Sequence, residues 1–183
     1  MSRKFGPELL VEQVIDRISP NIASFAHWLA ADDRNGDTPI ERLFYSSLWM
    51  AVAHCEQEYF TAVRSVSMEA FESWRDSPDV DHQHLFVIRQ VDVAGWRADF
   101  LIHVFADWSR AEKAGPMGWN RLIVECDGHD FHERTKEQAA RDRDRDRQAQ
   151  LAGIEIFRFT GSELWRDPLG CADQVIAWAN RRV

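Results

Sequence analysis

Three runs rich in Val, Ile, Leu and Phe, His84–Val91, Arg97–Phe105 and Arg121–Cys126, crowd the middle of the chain, and stretches of helical period flank them on both sides. A chain with that change of period can bury its strands only beneath helices, which predicts an α/β sandwich around a small mixed sheet. Ala94-Gly95 parts the first two runs as a hairpin turn would, and the segment EKAGPMG precedes the third. Upstream, Thr38-Pro39-Ile40-Glu41 carries a capping signature: a Thr N-cap, Pro at the first helical position and Glu three residues on. The helix it opens should run to about His54, with a shorter one near Met68–Arg75. Downstream, a polar helix over Glu133–Ala152 should stop at Gly153. Ile154–Phe159 reads as a further strand and Pro168–Arg182 as a closing amphipathic helix. Residues 1–37 form a helical extension in this reading, with Leu9, Leu10, Val14, Ile18, Ile22, Phe25 and Leu29 at helical spacing and Pro20 interrupting them. Residues 38–183 form the main domain.

Charge narrows the function classes. The formal net charge over 183 residues is −8, which excludes a protein whose whole surface is a basic glove for nucleic acid. A local basic groove, or a site that holds phosphate through metal ions, stays open. Cys55, Cys126 and Cys171 are odd in number and widely spaced, which suits neither a disulfide framework nor a zinc site and points to a reducing cytoplasm. No run approaches the length of a membrane span, and the start lacks an apolar signal region, so no membrane partner is expected. The eight tryptophans are scattered, as packing residues are.

Three acids stand out against this background. Along a strand, Glu125 and Asp127 share a face roughly 7 Å apart, while Leu122, Val124 and Cys126 go to the other face. Two like charges at the end of an apolar strand repel unless a cation or full solvation separates them. Asp99 sits inside another apolar run, where Asp is disfavoured, and needs a partner: Arg97, Arg158 or a shared cation. Carboxylates converging from adjacent strands would make a hard oxygen site suited to Mg²⁺, with Mn²⁺ as substitute. His129 and His132 follow at the strand-to-helix turn, as a general acid, a water-orienting pair or, with Asp127, transition-metal ligands. The alternating run Arg141–Arg147 reads either as a solvated ion-paired helix or as a helix with one Arg stripe turned to phosphate.

The succession R-A-D-F-L-I, V-E-C-D-G-H-D-F-H, a helix with R-D-R-D-R-D-R, and L-A-G-I-E-I-F-R-F-T resembles the PD-(D/E)XK nuclease superfamily. It looks closest to the branch akin to very-short-patch repair endonucleases. The resemblance covers about Thr38 to Trp178. It implies a restriction-endonuclease-like α/β/α fold and Mg²⁺-dependent endonuclease activity on DNA, in repair or defence, with Asp99, Glu125 and Asp127 as metal ligands. Asp127 stands where the superfamily usually has Lys, so it would act as ligand or base, or Lys136 would supply the positive charge instead. Glu41 resembles the superfamily's upstream helical Glu, although its place in a capping box explains it equally. Arg145, Arg147 and Arg158 would contact nucleic acid. The resemblance leaves oligomeric state open, a homodimer included. It also leaves open a catalytically degenerate module that binds nucleic acid or a protein partner.

Overall fold

The computed structural model describes residues 38–54, 59–75, 77, 81–106, 118–127 and 136–183. The expected helices upstream of Thr38 lie outside them. The chain divides between Gly36 and Asp37, and all described residues fall in the second unit.

Five strands form one mixed sheet in chain order: β1 (Ala62–Ser65), β2 (His84–Val93), β3 (Trp96–Phe105), β4 (Trp119–Asp127) and β5 (Glu155–Thr160). The outer pairs are parallel and the central three strands antiparallel. The helices are α1 (Pro39–His54), α2 (Met68–Trp74), α3 (Lys136–Leu151), α4 (Gly161–Arg166) and α5 (Pro168–Asn180). The α/β reading therefore holds, with β1 and α4 added to the elements expected from sequence. Strand alternation divides the core. Leu85, Val87, Phe100, Ile102, Leu122 and Val124 pack with α1 and α5, while Phe86, Ile88, Leu101 and Ile123 pack with Phe71 of α2 and Ala149 of α3. Helices thus cover both faces.

Local chemistry sets the element ends. Thr38 and Glu41 form the expected capping box: the Glu41 N–H donates to Thr38 Oγ1 (3.3 Å) and the Thr38 N–H to Glu41 Oε2 (3.2 Å). Thr160 and Glu163 repeat it at α4. α3 ends in a Schellman arrangement, with the Ile154 N–H donating to the Ala149 carbonyl (2.9 Å) and the Gly153 N–H to that of Gln150 (3.0 Å). Gly153 sits at φ +65° with open space where a Cβ would be, so backbone conformation alone opposes a side chain there. Gly153→Ala should therefore cost about 1–2 kcal/mol in denaturant melts, whereas an unchanged midpoint would mean the turn relaxes.

The sheet departs from simple alternation at one place. In β2, Ile88 and Val91 belong to the same cluster although three residues apart, and in β3 so do Ala98 and Leu101. The slip falls at the step between the register pairs Arg89↔Phe100 and Val91↔Ala98, which holds Gln90 and Asp99. Gln90 takes up the turn with φ +49°, in the left-handed region.

Candidate active site

Aromatic packing brings Glu41 to the sheet. Phe44, one turn after Glu41, lies 5.2 Å from the Phe100 ring and 5.7 Å from Phe159, and Tyr45 stacks on Phe100 at 6.4 Å. These contacts lay the start of α1 across β3 and β5. Glu41 is buried at 5% exposure, and its carboxylate is almost fully engaged. Oε1 accepts from Thr38 Oγ1 (2.9 Å), and Oε2 accepts from the Thr38 N–H and from the Gln90 amide (2.7 Å). The capping reading of Glu41 holds, and the same carboxylate lies near enough to Asp99 to raise it.

The β3–β4 ladder ends at Phe100↔Val124, and the next residue on each strand is Asp99 and Glu125. Asp99 Oδ2 accepts the Cys126 N–H at 2.7 Å, so the side chain takes the place of a ladder partner. Neither expected arginine neutralises it: Arg97 donates from Nε to Gln90 Oε1 (3.1 Å), and Arg158 pairs with Asp146 (2.7 Å). Burial first, and then the charges of Glu125, Glu41 and Asp127, push the Asp99 carboxyl up to about 7 against the opposing Cys126 hydrogen bond.

Glu125 is buried at 7% exposure and accepts the indole N–H of Trp96 on Oε1 at 2.8 Å. Burial raises its carboxyl, whereas the Trp96 bond and the charges of Arg145 and Arg158 lower it. Arg158 is its register partner on β5. Asp127 closes β4, half-buried, and its charge acts on both Asp99 and Glu125.

The charged helix α3 turns one stripe inward. Asp142, Arg145, Asp146 and Ala149 are half-buried or buried, while Arg141, Arg143 and Arg147 are exposed. Arg145 therefore fits the expectation of an arginine turned toward the acids. Arg147 does not. It pairs with Asp144 at 3.0 Å, both side chains more than half exposed, because the 3.6-residue period carries it to the solvent side. His129 and His132 lie outside the described residues, as does the side chain of Lys136.

Among the described residues, no three His, Cys, Asp or Glu side chains converge closely enough to hold a metal ion as they stand. The donor chemistry nevertheless suits a hard cation. The acids offer only oxygen, and the Cys126 thiol, held protonated by burial, packs in the apolar core behind them. Mg²⁺ is commonly bound through one or two carboxylates, with water and substrate phosphate completing its shell.

Gln90 and Trp96 are the site residues that sequence reasoning misses. A Gln within a strand carries no signal of positive φ, and Trp96 looks like one more packing aromatic. Trp96→Phe keeps an aromatic ring against the second cluster but leaves the buried Glu125 short of a donor. It should lower stability by about 1–3 kcal/mol in metal-free melts, and no loss would mean that water replaces the indole.

No known family, curated protein or solved structure matches the chain.

Proposed function

We propose that this protein is a metal-dependent phosphodiester hydrolase acting on DNA, of the PD-(D/E)XK kind, with Asp99 and Glu125 as its central carboxylates. The observation that carries the reading is their meeting one step past the last β3–β4 pair, together with the charges of Glu41 and Asp127. Asp99 and Glu125 would hold Mg²⁺, with Asp127 beside them. A bound cation would neutralise charge on the phosphate and acidify a water.

The chain's own groups prepare that arrangement. The Cys126 N–H and the Trp96 indole each fix one oxygen of a carboxylate, which orients the other toward a ligand. Glu41, with three donors already on its carboxylate, would act on Asp99 through space rather than as a ligand. Asp127, half-buried at the end of β4 two residues beyond Glu125, would be the acid to accept a proton from an attacking water. Arg145 offers positive charge near Glu125 for the polyanion.

Supercoiled plasmid and single-stranded DNA incubated with Mg²⁺, Mn²⁺ or chelator test the reading. Cleavage that requires the metal supports it. DNA retained without cutting in either metal would instead favour a degenerate binding module, the reading that Asp127 in the usual Lys position invites.

A further inference from the structure

We propose that Arg97 binds a phosphodiester oxyanion at the edge of this site and that Gln90 is the positioning residue that holds it there; the inference rests on the phosphodiesterase reading. Gln90 departs from what its place in the sheet favours. Its φ of +49° lies where glycine is the usual residue, yet the position carries a long amide whose nitrogen and oxygen are both engaged. The Nε2 group donates to Glu41 (2.7 Å), and Oε1 accepts from Arg97 Nε (3.1 Å). The left-handed turn thus connects a buried carboxylate on α1 to a guanidinium on β3 two residues from Asp99. Strained backbone kept by surrounding structure is a common feature of functional sites.

The hydrogen bond occupies Nε, and the side chain of the exposed Arg97 makes no other hydrogen bond or ion pair among the described residues. A planar guanidinium fixed at one edge recognises phosphate with less loss of freedom than a mobile lysine. A site built of acids also needs a cation to receive a polyanion. Asp92 is opposite Arg97 in the β2–β3 register, so its negative charge would oppose an anion held there.

Two readouts test this. Melting in inorganic phosphate against chloride at matched ionic strength should show phosphate stabilising the wild type more than Arg97→Gln, beyond the general effect of an excluded salt. Anisotropy of a labelled DNA duplex in Ca²⁺, over a salt series, should show Arg97→Gln binding about tenfold more weakly, with a log–log salt slope shallower by about 1. Gln90→Gly removes the amide, and the left-handed backbone it relieves offsets only part of the donor that buried Glu41 loses, so under conditions where it is fully folded it should bind as weakly as Arg97→Gln. Asp92→Asn should bind more tightly. Equal phosphate stabilisation in wild type and Arg97→Gln overturns the proposal, as does an unchanged salt slope when wild type binds DNA. Gln90→Gly binding as tightly as wild type removes Gln90's positioning role. Phosphate stabilisation that depends on Arg97, in a protein that neither binds nor cuts DNA, keeps the anion site and refutes the nuclease reading.

Discussion

Glu125→Gln should lower Mg²⁺-dependent DNA cleavage by about a hundredfold to a thousandfold while leaving the fold intact. The amide has the shape of the carboxylate, and its oxygen can still accept the Trp96 indole N–H that now reaches Oε1 at 2.8 Å. The charge is what changes. The variant gives up attraction to Arg145 and Arg158 but no longer buries an ion, two effects of opposite sign in a side chain already raised by burial. Metal-free melts should therefore move little, and activity should fall because a neutral amide is a poor partner for Mg²⁺. A variant that folds, melts like wild type and cuts at the wild-type rate would remove Glu125 from the chemistry.

The second large effect is on the pH dependence of stability, and it comes from two groups pulling in opposite directions. His103 is buried beside Phe71, ring centroids 4.1 Å apart, and neither ring nitrogen has a hydrogen-bond partner among the described residues. Burial, then the charges of Arg121 and Arg75, pushes it down to about 3 from 6.5. Below pH 6.5 the unfolded chain takes up a proton that the folded chain refuses, so stability falls as pH drops toward 3. Asp99 is pushed up to about 7 from 3.8, so the folded chain keeps a proton that the unfolded chain has released. Its contribution is present at low pH and disappears as pH rises toward 7. Between about pH 4 and 6.5 the two slopes oppose each other, each at about 1.4 kcal/mol per pH unit for one proton.

In chelator, Asp99→Asn should therefore gain stability relative to wild type as pH rises through that window. The substituted amide oxygen would still accept the Cys126 N–H. Because solvent still reaches Asp99, the gain at neutral pH should be about 1–2 kcal/mol rather than the full shift. His103→Phe should show the opposite difference, gaining on wild type as pH falls. Denaturant midpoints of the three proteins across pH 4–8 measure it. Parallel curves would mean that neither group titrates differently on folding.

The legibility of each element in the sequence depends on how local its signal is. The capping box at Thr38–Glu41, the stop at Gly153 and the central strands depend on neighbours in sequence, and each stands within a few residues of its expected place. The same Thr-x-x-Glu signature at Thr160 also announces α4, but that short helix follows β5 without a loop and is easily taken for the strand's end. β1 escapes detection because four residues with Arg64 and Ser65 exposed leave almost no alternation to read. The site itself is half legible. Asp99 and Glu125 stand out as acids in apolar strands, but period-2 reasoning cannot see the slip at Gln90 and Asp99, because twist is decided by packing between strands. Arg147 faces solvent and Arg145 the sheet for a similar reason, since which stripe of an almost wholly charged helix turns inward depends on the docking of α3.

The proposed chemistry requires Asp99 and Glu125 to act together on one cation. Anomalous diffraction from a crystal soaked in Mn²⁺ measures that directly. We expect a peak within about 2–2.5 Å of an oxygen from each carboxylate, with water completing the shell. A well-ordered site with no peak between them, or with the ion held elsewhere while Asp99 keeps only the Cys126 N–H, would contradict it.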